Sequence, residues 1–383
     1  MAQKQILIVC GEPSGELHAA GLSRAIRKIN PDIKISAVGG NLLRQAGAEI
    51  FYDIRGLAVM GLFDVLKKLP QFFQLQELIL KKIRAEKPAC LILVDFSGFN
   101  LRLAKAVNKE IPVIYYVSPQ VWASRPGRLK TIKKYISKMI VLFKFEQEFY
   151  RKHGIAADLV DHPLLDMVKP AKDKITLLKE FNLDRAKKTI TLLPGSRKSE
   201  IENILPIMLE TYGIIAEKNP DLQLVIAKAP GADLNIYNRI TKNYQLDLKI
   251  VDGRTYDCLE LADFALVCSG TATLETAIMQ KPFCIVYKMG LLNYLLYRPQ
   301  VKVPYIGMAN IVAGRKIIPE FIQFQAIQKK IAAAALEILQ NPDKLEEMRN
   351  ALREVKSSLG EPGASHRAAR IILGTVSRDC PSP

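Results

Sequence analysis

Residues 6–29 read ILIVCGEPSGELHAAGLSRAIRKI, and this stretch decides the fold. Ile6–Cys10 is an unbroken apolar run of strand length. GEPSGE then supplies a polar, glycine-bearing turn, and apolar residues at helical spacing run from about Leu17 to Ile29. A strand that is apolar on both faces and feeds a helix is the opening of a βαβ unit in a parallel sheet. The same rhythm continues outward, with apolar strands at Ile33–Val38, Cys90–Val94, Val113–Val117 and Met139–Phe143. Charged, proline-containing text around Asp166–Lys174 suits a linker. A second series follows at Thr189–Leu193, Leu222–Ile226, Leu248–Val251, Phe264–Val267 and Pro282–Val286. The expected fold class is α/β, with two Rossmann-like lobes whose parallel sheets face a central cleft. The expected boundaries are 1–168, 169–345, and a C-terminal helix and tail over 346–383 that packs back on the first lobe. No repeat of solenoid period is present.

The chain has 383 residues, and 55 Lys+Arg against 38 Asp+Glu give 55 − 38 = +17. With 49% hydrophobic and 24% charged residues the composition is globular. The positive excess calls for an acidic partner: nucleic acid, an anionic membrane surface or a phosphorylated substrate. No recognised nucleic-acid module is present and the basic residues are spread along the chain, so nucleic acid is not expected. No apolar run approaches the roughly 18–20 residues of a spanning helix, and Met1–Lys4 leads straight into a strand, so no signal peptide is read. The six cysteines are scattered without metal-ligand spacing. The expectation is a soluble or peripheral cytoplasmic protein without metal or cofactor.

Three loops offer themselves as binding elements. Gly11–Glu16 follows the first strand, and Glu12, Ser14 and Gly15 lie where helix amides face a polar or anionic ligand; the other reading is a plain turn with Ser14 as cap. The loop is neither a dinucleotide fingerprint nor a Walker loop. Leu193-Pro194-Gly195-Ser196-Arg197 ends the first strand of the second series. Arg197 there either grips a phosphate bidentately or is a surface arginine in a turn. Ser269, Gly270, Thr271, Ala272 and Thr273 open a helix after Phe264–Val267, a seat for a pyrophosphate. Glu275 either accepts from a ribose diol or merely complements the helix N-terminus. Asp95 ends Cys90–Val94 beside Phe96 and Phe99, as a general base or as a cap of the helix near Asn100. Glu12 and His162 are further acid–base candidates. The chain has no G-x-S-x-G elbow and no H-E-x-x-H pair.

From Leu62 to Arg84 apolar residues fall on one helical face, with lysines opposite and Pro70 expected to kink or divide the helix. Leu66, Leu69, Phe72 and Phe73 are the expected membrane contacts, against the alternative that the face packs on a core. Leu291–Arg298 is a second apolar-aromatic stretch with Arg298 and Lys302 at its end. Arg125, Arg128, Lys130, Lys133, Lys134 and Lys138 form a basic segment after Trp122, either a solvated face or a contact for lipid phosphates.

Taken in order, these motifs resemble the lipid-A-disaccharide synthase family. The resemblance is carried by Gly11–Glu16, Leu57-Ala58-Val59-Met60-Gly61, Asp95 with Phe99-Asn100, Tyr116-Val117-Ser118-Pro119-Gln120-Val121-Trp122-Ala123, His162-Pro163-Leu164, Leu193–Arg197, Ser269–Glu275 and Asn310–Gly314. It implies a metal-independent GT-B glycosyltransferase that moves diacylglucosamine from UDP to the 6-hydroxyl of diacylglucosamine 1-phosphate (lipid X). It further implies Asp95 as base, Arg197 and Glu275 as UDP ligands, and Glu12, Ser14, Gly15, Asn100, Ser118, Trp122, His162 and Asn310 as substrate-side residues. The acceptor and membrane side would be the first lobe and the UDP-sugar side the second. The location would be the inner face of the inner membrane, with a homodimer left open. Glu16 stands where the family usually has Asp, Phe96-Ser97-Gly98 replaces its small-Pro-Asp, Ser124 replaces a second Trp, and Asp161 replaces a Gly. Rival readings are another GT-B enzyme acting on UDP-N-acetylglucosamine and a non-catalytic lipid- or nucleotide-binding relative.

Overall fold

The protein is described by a computed structural model covering residues 4–54 and 62–378, with the side chains of 62–67, 297, 377 and 378 left aside. Leu57–Gly61 and the Leu66 side chain lie outside the described residues. Two compact units are present. The first takes in Met1–Pro163, Gln300–Lys302 and Leu359–Pro383, the second Leu164–Pro299 and Val303–Ser358. The chain therefore passes into the second unit five residues before the boundary read from the sequence. The segment expected over 346–383 divides: the helix Pro342–Ser358 ends with the second unit, and the helix Ala364–Arg378 belongs to the first.

In the first unit, strands β1 (Gln5–Cys10), β2 (Lys34–Gly39), β3 (Glu49–Asp53), β4 (Cys90–Val94), β5 (Val113–Tyr116), β6 (Lys138–Val141) and β7 (Ala157–Leu159) form one parallel sheet ordered β3-β2-β1-β4-β5-β6-β7. Covered on both faces, β1 and β4 are nearly wholly buried, which is why they read as continuous apolar runs. The helix after β1 spans Pro13–Ile29, four residues earlier than its apolar spacing suggests. Pro13 sits at the helix start, where the missing N–H costs nothing. The helix Leu62–Glu86 is continuous through Pro70, so the proline does not divide it. It buries Leu75, Ile79 and Ile83, one helical stripe, in the core of this unit. Ala368, Ala369, Ile372 and Val376 of the helix Ala364–Arg378 enter the same core.

In the second unit, β8 (Lys188–Leu193), β9 (Leu222–Lys228), β10 (Leu248–Asp252), β11 (Phe264–Cys268), β12 (Phe283–Tyr287) and β13 (Glu320–Ile322) form a parallel sheet ordered β10-β9-β8-β11-β12-β13. In each sheet the strand order reverses direction once, between β1 and β4 and between β8 and β11. At such a switch point neighbouring loops diverge and leave a crevice beyond the carboxyl ends of the strands.

Candidate functional site

Two motif loops of the first unit, those after β1 and β4, meet at its switch point. The loop after β1 faces the loop after β4 so closely that a Cβ on Gly15 would lie 3.3 Å from the Cβ of Asp95. One on Gly11 would lie 2.3 Å from the Phe96 ring, so only glycine lets that ring lie across the turn. Asp95 (φ 49°) and Phe96 (φ 45°) are both left-handed, a strained pair for residues with side chains. The strain is held by Tyr115, whose hydroxyl donates to the Asp95 carbonyl at 2.5 Å, and by Asn100, whose Nδ2 donates to the carbonyls of Asp95 (2.9 Å) and Val94 (3.2 Å). Burial, and then the charge of Asp95, push the Tyr115 hydroxyl well above its ordinary pKa, so it stays a donor. The N-cap of the helix Ser97–Val107 is Phe96, not Asp95, which removes the capping explanation for the aspartate. Asn100 is fully buried and acts on the backbone of Asp95.

Glu12 is the N-cap residue of Pro13–Ile29 and Ser14 lies half-buried in its first turn. Glu16 reaches away from the loop and accepts from the Gly40 and Leu43 amides at 3.0 and 3.1 Å, holding the turn after β2. The segment after β5 has an anchor that sequence reasoning missed, Glu146. Its Oε1 accepts from Ser118 Oγ (2.7 Å) and Trp122 Nε1 (3.2 Å), and its Oε2 from the Leu142 and Phe143 amides. Burial raises the pKa of this carboxyl against the pull of those four donors. A glutamate at the third position of a helix, ahead of an aromatic run, was the available signal. His162 is buried, its ring 5.0 Å from that of Phe143 and 5.9 Å from that of His18. Burial, and then His18, hold its pKa well below the ordinary range, so it is neutral at pH 7. Ser118 thus works inside the loop architecture. Phe72 corrects another expectation: its ring packs 5.9 Å from Phe96 and 6.0 Å from Phe99, on the core rather than outward. Leu69 is half-buried, and Phe73, 61% exposed, faces solvent.

The second unit repeats the arrangement at its own switch point. Gly195 (φ 109°) after β8 approaches the end of β11, and a Cβ there would sit 3.3 Å from Cys268 Sγ and 2.6 Å from Glu200 Oε2. Glu200 accepts from the Ser196 and Arg197 amides and pairs with Arg197 Nη1 at 3.2 Å, which fixes the arginine at the head of the helix Lys198–Lys218. Across the switch point, Gly270 is the N-cap of the helix Thr271–Ile278, with Thr271 exposed and Ala272 half-buried. Ser269 donates to Ile306 O, and Thr273 is buried between Gly270 O and the Met308 amide. Glu275 lies past the first turn, which weakens the helix-dipole alternative, and Tyr256 donates to its Oε1 at 3.0 Å. Burial raises the pKa of Glu275, and the bond from Tyr256 holds it down. Asn310 overturns its expected role. Fully buried, it donates to Ile318 O and Glu320 Oε1 and accepts from the Ile317 and Ile318 amides. All four bonding positions of the amide are used within the unit, leaving none for a substrate.

Two switch-point loop pairs, one around a strained aspartate and one around an arginine and a half-buried glutamate, are placed where such sheets hold ligands. A family profile described as lipid-A-disaccharide synthetase matches residues 6–373. The chain belongs to the lipid-A-disaccharide synthetase family. Lipid-A-disaccharide synthase from Syntrophus aciditrophicus (strain SB) is 40% identical over 383 residues, 99% of this chain and 100% of that one. The synthase of Geobacter sulfurreducens is 37% identical over 370 residues, 96% of each. Among solved structures, a UDP complex of S. aureus MnaA matches with TM-score 0.66 at 13% identity, covering 99% of both chains. The UDP-GlcNAc 2-epimerase of Neisseria meningitidis bound to UDP-GlcNAc matches with TM-score 0.64 at 13% identity, covering 98% of this chain and 100% of that one. At such identity these two speak for fold alone, which is the GT-B fold expected of a lipid-A-disaccharide synthetase.

Proposed function

We propose that the chain transfers 2,3-diacylglucosamine from its UDP carrier to the 6-hydroxyl of 2,3-diacylglucosamine 1-phosphate. Membership in the lipid-A-disaccharide synthetase family makes it a glycosyltransferase of lipid A disaccharide formation. In the reaction, the acceptor 6-oxygen forms a bond to C1 of the donor sugar while the bond from C1 to the UDP oxygen breaks. The hydroxyl proton goes to Asp95, UDP leaves with the electron pair, and C1 is inverted to the β configuration. The second unit holds UDP, with Arg197 and the Ser269–Thr273 turn at the pyrophosphate, where charge develops on the leaving group, and Glu275 at the ribose.

The observation that carries the site assignment is the close approach of the loop before Arg197 to the end of β11, from which Ser269–Glu275 follows, at one switch point, with the Asp95 backbone strained at the other. The enzyme works at an anionic membrane surface. Among the described residues no helix is long and apolar enough to cross a membrane. Phe73 at 61% exposure, and Leu291, Leu292 and Leu295 at 54–59%, supply apolar surface for interfacial contact. Turnover of UDP-diacylglucosamine with lipid X, read by mass spectrometry of the disaccharide and by UDP release, tests the proposal. Product from UDP-N-acetylglucosamine but none from the diacylated donor refutes it.

A further inference from the structure

Arginine 128 is half-buried in the first unit, and among the described residues its side chain bonds only Ser97 Oγ, at 2.9 Å from Nη1. A guanidinium has five N–H donors, so most of this fork is uncommitted. No carboxylate among the described residues forms an ion pair with Arg128, Arg125 or Arg102, although the molecule holds many such pairs elsewhere. The like charges of Arg125 and Arg102 act on Arg128 and, after burial, push its pKa down from the ordinary value. A half-buried arginine beside two like charges and without a counter-anion is disfavoured, and an anion relieves that cost.

Position gives that anion an identity. Ser97 lies two residues beyond Asp95, a span of at most about 7 Å along the chain. Arg128 and Asp95 also both act electrostatically on Tyr115, whose hydroxyl holds the Asp95 carbonyl. Arg125 (φ 54°) is in a left-handed conformation, with Nε fixed to Gln300 Oε1 at 2.9 Å. Beside Ser97, Gly98 has open space where a side chain would stand. An acceptor with its 6-hydroxyl at Asp95 carries its 1-phosphate on the same sugar ring.

We propose that Arg128, with Arg125 and Arg102 beside it, binds the 1-phosphate of the acceptor sugar and so selects phosphorylated acceptors. The inference rests on the transfer reaction above and extends it to acceptor recognition. A bidentate guanidinium–phosphate contact is the strong form of charge-assisted bond, and its loss lowers affinity about ten- to a hundredfold.

The test reads binding, so it does not depend on turnover. Trp122, the single tryptophan of the chain, stands three residues before Arg125 and reports acceptor titration by its fluorescence. Wild-type protein should bind lipid X at least about tenfold more tightly than the same lipid without phosphate. Arg128→Gln should abolish that preference and leave UDP affinity unchanged, with Arg128→Lys restoring part of it. An undiminished preference in Arg128→Gln overturns the proposal, as does an equal loss of binding to phosphatidylglycerol vesicles, which would make the arginines a bilayer contact. Should Arg128→Gln not fold, the exposed pair Arg102→Gln and Arg125→Gln is read in the same way. A wild-type preference in that double variant overturns the assignment. Failure of turnover with intact phosphate preference would instead count against the transfer reaction alone.

Discussion

Replacing Asn310 by alanine separates the two roles that sequence and structure give this residue. Four hydrogen bonds converge on its amide, all between 2.9 and 3.0 Å. Without the amide, water can reach the half-exposed Ile317 and Glu320 groups. The amide and carbonyl of Ile318, a fully buried residue, lose their partner with no replacement. Stranding two buried backbone groups costs about 1–3 kcal/mol each, or roughly 2–6 kcal/mol. For a unit of this length about 1 kcal/mol moves Tm by roughly 2–4 °C, so Asn310→Ala should lower the second unit's transition by about 12 °C at the centre of that range. Scanning calorimetry measures the shift, and UDP titration well below the transition measures affinity, which should stay near the wild-type value. A Tm within about 2 °C of wild type together with clearly weakened UDP binding would refute the reasoning and return Asn310 to the substrate.

Asp95→Asn keeps a residue that tolerates the left-handed backbone and removes the base; turnover should fall about 10²–10⁴-fold with UDP affinity intact, and near-normal turnover removes Asp95 from the chemistry. Glu275 accepts both hydroxyls of a ribose diol strongly only when ionised and its pKa is raised, so UDP affinity should fall as pH drops through a midpoint above the ordinary carboxylate value. Tyr256→Phe deletes the bond that holds that pKa down and should move the midpoint higher, whereas an unmoved midpoint means Glu275 is not the group being read. Phe73→Ser should weaken vesicle binding without changing Tm; Phe72→Ser should lower stability by about 2–4 kcal/mol, and the reverse pattern in vesicle sedimentation and thermal melts would invert the assignment of the two rings.

The parallel strands were legible because burial on both faces makes each an apolar run, and Cys90–Val94 was read to the residue. Strands β3, β7 and β13 were not: EIFYD, ADL and EFI are short, half-buried and lack such a run. The loops at the switch points were legible as motifs, but sequence could not distinguish a side chain that faces a ligand from one that props the loop. Asn100, Ser118, Thr273 and Asn310 turn to partners within their own units, and the local capping pattern at Glu146 did not reveal its bonds to Ser118 and Trp122, 28 and 24 residues away. The Asp161 departure has a physical account. At φ 63° the position favours glycine, and the aspartate is compensated by an ion pair with Arg367 at 2.9 Å.

That pair belongs to a route with consequences for how the protein is made. The chain leaves the first unit after Pro163 and returns to it for good at Leu359. In between it completes the second sheet, so on a ribosome the second unit can reach its native state while the first still lacks the helix carrying Ala368, Ala369 and Ile372. Until that helix emerges, the apolar surface of Pro13–Ile29 that receives it stays open, with Gly21 waiting for the close approach of Ser365. A chain released after Ser358 would therefore carry one finished half and one sticky half, and it is the half synthesised first that would call for a chaperone.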